Sequence, residues 1–87
     1  MAAQVKMYTT RFCPYCIRAR MLLDSKGVPY TDVGVDADPE LRREMMALSG
    51  RRTVPQIWID DLHVGGFDDL AALDRQGRLN DLLKLAS

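Results

Sequence analysis

The chain has only two cysteines, and they lie three positions apart in Cys13-Pro14-Tyr15-Cys16. That placement rules out the usual structural role of cysteine in a chain of 87 residues, a framework of four or more thiols closing long loops. A bridge between Cys13 and Cys16 would close a loop of a few residues and remove little entropy from the unfolded chain. A structural zinc site fails on ligand number, since it needs four and the only other soft ligand is His63; no metal is expected. The fold must therefore rest on apolar burial. With 47% apolar and 28% charged residues the chain has enough for it. One domain spanning residues 1–87 is expected, burying roughly 60% of its unfolded surface.

Charge narrows the partners. Twelve Lys and Arg balance twelve Asp and Glu, leaving no net field to attract nucleic acid or an anionic membrane. Apolar runs such as Met21-Leu22-Leu23 fall far short of the roughly 20 residues that span a bilayer. The segment Met1 to Lys6 lacks the basic-then-apolar order of a secretory signal. Neither nucleic acid nor a membrane is an expected partner, and the cytoplasm is the expected location.

Along the chain, Val5 to Tyr8 reads as a first strand, followed by a turn from Thr9 to Phe12. Pro14 suits the first turn of a helix, where its missing N–H is not needed. Cys16, Ala19, Leu22 and Leu23 recur at helical spacing, and Gly27 ends the pattern. Val28 to Val35 is a second extended segment. Asp38-Pro39-Glu40 is an N-cap signature, Leu41, Met45 and Leu48 form the stripe of the helix it opens, and Gly50 closes it. Gln56 to Ile59 is a third strand, Asp60-Asp61 a turn, and Leu62 to Val64 a fourth strand. Gly65-Gly66 then breaks the chain, and Asp68-Asp69 begin a last helical region that runs, interrupted at Gly77, to the C-terminus. Strand–helix–strand units favour right-handed parallel crossovers, and the two-residue turn favours an antiparallel hairpin. An α/β fold follows, with a mixed four-stranded sheet flanked by helices.

At the junction of the first strand and first helix, the Cys13 sulfur would face the unpaired N–H groups and positive end of the helix dipole. Both favour the thiolate, which is the nucleophile of disulfide exchange, and Arg11 and Arg18 add positive charge. Cys13 is therefore the expected attacking thiol, and Cys16, one turn inward, the resolving one. Other features have plainer readings. His63 suits packing or solvent rather than catalysis. Trp58 lies on the opposite strand face from Ile57 and Ile59 and reads as packing, as do Met45 and Met46 on their helix. Arg51-Arg52 reads as a solvated basic rim that could also steer an anion.

The run Tyr8-Thr9-Thr10-Arg11-Phe12-Cys13-Pro14-Tyr15-Cys16, then Thr53-Val54-Pro55, then Gly65-Gly66 with Asp68-Asp69, together resembles the dithiol glutaredoxins over almost the whole chain. The resemblance implies a thioredoxin-like fold, glutathione as co-substrate, and reduction of protein disulfides and glutathionylated proteins; a monomer is expected. It also implies a cis bond before Pro55 and a set of glutathione contacts. Val54, between Thr53 and Pro55, would pair strand-like with the cysteinyl part of the tripeptide. The N–H groups of Phe67 and Asp68, after Gly66, would meet the γ-glutamyl carboxylate, and Asp68 or Asp69 its ammonium. Tyr15 would flank the sulfur and Arg42 meet the glycyl carboxylate. Many members carry a lysine three residues before the first cysteine. Thr10 stands there in this chain, and Arg11 is the candidate to take the lysine's part. Two rivals share the fold: a hydrogen donor fed by thioredoxin reductase, and an iron–sulfur carrier using Cys13 and glutathione. The glutathione-side residues argue against the first, and Pro14, where such carriers commonly have Gly or Ser, against the second.

Overall fold

A computed structural model describes residues 3–85. Its frame is a four-stranded sheet in the order β2-β1-β3-β4, built from β1 (Val5–Thr9), β2 (Thr31–Gly34), β3 (Gln56–Ile59) and β4 (Leu62–Gly65). β1 runs parallel to β2 and antiparallel to β3, and β3 pairs antiparallel with β4. This is the mixed sheet that the sequence order implies. The parallel pair is joined through helix α1 (Pro14–Ser25), and the β3–β4 hairpin turns at Asp60, whose φ is 51°.

Strand alternation divides the apolar residues between two faces. Val5 and Met7 of β1, with Ile57 and Ile59 of β3, point to one side and pack with Ala19 and Leu23 of α1. Leu70 of α3 (Phe67–Arg75) and Leu79 of α4 (Leu79–Leu82) complete that core. Tyr8 points to the other side, where Val35, just after β2, and Met45 of α2 (Pro39–Ser49) cover it, with Val54 and Trp58 packed alongside. Trp58 meets the Tyr8 ring edge-on at 5.5 Å. Its packing role on the face opposite Ile57 and Ile59 is as expected.

Local signals set the helix ends. Asp38 caps α2 through Oδ1, which accepts from the backbone of Glu40 and Leu41 at 3.0 and 3.2 Å. Gly50 ends the same helix in the left-handed conformation, φ 70°. Three details differ from the sequence reading. Thr9 belongs to β1 rather than to the turn after it. The last helical region breaks at Gly77, φ 73°, as expected, but its second helix ends at Leu82, with residues 83–85 outside it. Leu48, assigned to the apolar stripe of α2, is 60% exposed, because it borders a surface groove with Tyr8, Tyr30 and Trp58 rather than joining the cluster around Met45. Among the described residues, no helix is long and apolar enough to cross a membrane.

Candidate active site

The chain leaves β1 at Thr9 and enters α1 within four residues, so the segment between them is held at both ends. Cys13 is the N-cap of α1, in extended conformation, with Pro14 at the first helical position. Its Sγ accepts from the Cys16 backbone N–H at 3.3 Å and donates to the Val54 carbonyl at 3.6 Å. No acidic residue stands in the first turn of α1. A sulfur at this position feels the positive end of the helix, undiluted by a nearby carboxylate in that turn. Phe12 (87% exposed) and Tyr15 (51%) flank it, with Arg11 and Arg18 lying over their respective rings at 5.8 and 5.5 Å.

Cys16 is fully buried, one turn further in. Burial, and after it the neighbouring Cys13 sulfur, push its thiol up to about 12, with Arg20 acting in the opposite sense. Arg20 is fixed by Asp32, Nε to Oδ2 at 2.6 Å, and donates to Thr9 Oγ1 at 2.9 Å; Thr9 in turn donates to Asp32 Oδ1. The two cysteines, both free thiols, thus differ sharply in environment.

The second wall is Thr53-Val54-Pro55. The Val54–Pro55 bond is cis, as the resemblance implies, and Val54 packs on the α2-side core. Two residues that the sequence reading did not place in the site join this loop. Gln56, fully buried, donates from Nε2 to the Thr53 carbonyl at 3.0 Å and the Thr53 hydroxyl at 3.2 Å. His63 Nε2 lies 2.7 Å from Gln56 Oε1, with its ring stacked on Trp58 at 4.6 Å. His63 is thus packed and hydrogen-bonded. The available signal was a buried-type strand opening on a glutamine beside a proline.

The third wall is the start of α3. Gly66 is its N-cap, and its N–H donates to Asp69 Oδ2 at 2.9 Å; Arg51 Nη1 reaches the same oxygen at 3.2 Å. The Gly66 N–H first, and Arg51 after it, hold the Asp69 carboxyl below the usual carboxylate range. A folded value below the unfolded one means that these contacts stabilise the fold above the ordinary range and are lost as pH falls through the lowered value. Asp69 is thus engaged in capping, whereas Asp68 stands exposed in the first turn beside the free N–H end of the helix. Gly65 has φ 115°, and a Cβ there would run into the Asp69 carboxylate. Gly65→Ala is accordingly expected to lower stability by about 1–3 kcal/mol and to free Arg51. Chemical denaturation checks it, and an unchanged midpoint would contradict the account.

The two arginines assigned to the glycyl carboxylate are both tethered. Arg11 Nε pairs with Asp36 at 3.0 Å, on the loop between β2 and α2, and that pair holds the Asp36 carboxyl low. Arg42 Nη1 donates to the Arg52 carbonyl at 3.4 Å, which sets it beside the loop leading into Thr53. Arg51 and Arg52 are exposed, as expected of a basic rim. Among the described residues, no three His, Cys, Asp or Glu side chains group so as to hold a metal ion.

The chain's similarities agree with this geometry. The family model for Glutaredoxin matches residues 5–64. A glutaredoxin of Pseudomonas aeruginosa is 56% identical over 79 residues, covering 91% of this chain and 94% of that protein. Glutaredoxin 3 of Escherichia coli is 54% identical over 82 residues, covering 94% and 99%. The crystal structure of a buckwheat glutaredoxin–glutathione complex superposes with a TM-score of 0.88 at 26% identity, over 97% of this chain and 83% of that one. With a paired thiol at a helix start, a cis-proline loop beside it and a capped helix opposite, on a sheet of this order, the chain belongs to the glutaredoxin family.

Proposed function

We propose that Cys13 attacks and Cys16 resolves in the reduction of protein disulfides and protein–glutathione mixed disulfides. The chain is a glutathione-dependent thiol–disulfide oxidoreductase, as its family is. The observation that carries the division of labour is the Cys13 sulfur at the N-cap of α1, accepting the Cys16 N–H at 3.3 Å. A developing thiolate there gains a hydrogen bond and the helix field without moving.

With a mixed disulfide R–S–SG, the Cys13 thiolate attacks the glutathionyl sulfur. The S–S bond of the mixed disulfide breaks, RS⁻ leaves and takes up a proton, and Cys13–S–SG forms. A glutathione thiolate then attacks Cys13–S–SG, returning the Cys13 thiolate and releasing oxidised glutathione. With a protein disulfide, Cys13 attacks one substrate sulfur and the other leaves as a thiolate. Cys16 then attacks Cys13 and releases the first as a second thiolate, leaving a Cys13–Cys16 bridge that two glutathiones reduce, becoming oxidised glutathione. The environment of Cys16 suits this order. Part of what keeps its proton on is the Cys13 sulfur, and once Cys13 is bonded to substrate it no longer carries charge. Cys16 then loses its proton more readily, at the step that needs it.

Glutathione would lie across the three walls. Val54 would offer backbone partners to its cysteinyl residue between Thr53 and Pro55. The α3 N–H groups of Phe67 and Asp68, behind Gly66, would take the γ-glutamyl carboxylate. Asp68 would meet the ammonium directly, and Asp69 would act through its cap. Tyr15 would flank the sulfur, while Arg42, and Arg11 if released from Asp36, would meet the glycyl carboxylate. A monomer in a reducing compartment suffices, and no metal takes part in these steps.

The test follows NADPH oxidation with a small glutathione mixed disulfide. One cuvette holds glutathione and glutathione reductase, the other thioredoxin reductase. Turnover confined to the first is the expected result. Turnover confined to the second would overturn the glutathione contacts together.

A further inference from the structure

Among the described residues, apart from the Tyr8 hydroxyl and the Cys16 thiol, only Thr9 and Gln56 bring polar side-chain groups into the buried set. Burying an amide costs roughly 1–3 kcal/mol unless it is hydrogen-bonded, and a methionine would fill the same space without that requirement. Here the amide is bonded throughout, and its bonds have a fixed direction. The Thr53 carbonyl can only accept, so the Gln56 NH₂ must face it, and Oε1 must face His63. His63 Nε2 therefore carries a hydrogen. Burial, and then Arg51, lower the His63 pKa, so the ring is neutral near pH 7 with its proton on that nitrogen. Stacking on Trp58, 29° from parallel, sets the ring plane. Imidazole orients amide, and amide orients Thr53.

The effect reaches the groove through one peptide plane. The Thr53–Val54 bond is trans, and in a planar trans peptide the carbonyl and the following N–H point in opposite directions. With the Thr53 carbonyl drawn inward to Gln56, the Val54 N–H is turned outward, on the residue whose own carbonyl accepts from Cys13 Sγ. We propose that Gln56 and His63 are positioning residues for glutathione, aiming the Val54 N–H at the cysteinyl carbonyl of the tripeptide through the Thr53 peptide. This rests on the glutathione reading above and adds to it the reason for a buried Gln–His pair.

The experiment compares wild type with Gln56→Met, Gln56→Glu, His63→Leu and His63→Gln in the glutathione-reductase-coupled assay with a small glutathione mixed disulfide. The alkylation rate of Cys13 by iodoacetamide, which needs no tripeptide contact, is measured in parallel. Gln56→Met is expected to raise KM about tenfold, as loss of a well-made buried hydrogen bond does. Its kcat and alkylation rate should stay within about twofold of wild type. Gln56→Glu, which sets a carboxylate against the Thr53 carbonyl, should raise KM at least as much. His63→Leu should raise it about threefold, and His63→Gln, which restores an N–H donor, should recover most of that. An unmoved KM in Gln56→Met would overturn the proposal. So would a fall in kcat and alkylation together at constant KM, which marks general loosening. If Gln56→Met does not fold, the two His63 variants decide between the same outcomes, since an unmoved KM in His63→Leu also overturns it. Variants that match an active wild type sink this inference alone, whereas a wild type with no glutathione turnover sinks it together with the reading it rests on.

Discussion

Replacing Cys13 by serine is expected to reduce turnover of a small glutathione mixed disulfide on the order of a thousandfold or more, the scale of losing a covalent nucleophile. A serine hydroxyl at the same N-cap keeps the hydrogen bond from the Cys16 N–H but offers no thiolate. Cys16→Ser should behave differently. It leaves the Cys13 sulfur on the helix end, so the small mixed disulfide, resolved by a second glutathione, should still turn over at a substantial fraction of the wild-type rate. Reduction of a protein disulfide should fail, because nothing remains to displace the substrate from Cys13. Mass spectrometry of Cys16→Ser after exposure to such a substrate should find it trapped on Cys13. Equal loss in both variants with the small substrate would mean that Cys16, buried as it is, takes part in the first attack, and the assigned roles would fall.

Leu70→Ala should cost about 2–5 kcal/mol, the range for a fully enclosed leucine cut back to alanine. Leu70, on α3, is completely buried in the core cluster that holds residues of β1, β3, α1 and α4. Against a total stability of roughly 5–15 kcal/mol, that is a large share. The melting temperature should fall by more than about 10 °C. Leu62→Ala, at a half-exposed position on the edge strand β4, should shift it by only a few degrees. A Leu70→Ala protein that melts like wild type would mean that α3 is held by its cap and its links to α4, with little help from the core. The assay at low temperature separates the two effects, since the N–H groups at the start of α3 belong to the backbone and survive as long as the helix does.

The features legible in the sequence were those whose cause is local. Cys13 as N-cap, Asp38 with Pro39, Gly50 in the left-handed conformation and the Asp60-Asp61 turn each depend on residues within one helical turn. Strand and helix order, with the parallel and antiparallel pairings, followed from connection lengths and handedness. What escaped depends on residues far apart in the chain. Asp36 meets Arg11 because the parallel strands β1 and β2 release the chain at the same end of the sheet, and no spacing rule connects positions 25 residues apart. That Asp69 rather than Asp68 is tied into the cap depends on Arg51 arriving from another loop. Leu48 has the right helical phase but borders a surface groove instead of the packed cluster. Gln56 and His63 are seven residues apart on adjacent strands, and sequence alone does not reveal that the shift between β3 and β4 brings their side chains together.

The unequal division of the apolar residues between the two sheet faces bears on how the molecule breathes. α1 and α3 share the larger core, so Cys13 and the start of α3 sit on elements whose amides should exchange with solvent only on near-global unfolding. The Thr53 loop hangs from α2 and the smaller cluster around Tyr8, Val35 and Met45. Sub-global opening is cheapest there. One lip of the groove can therefore swing back for a bulky glutathionylated side chain while the sulfur stays where it is.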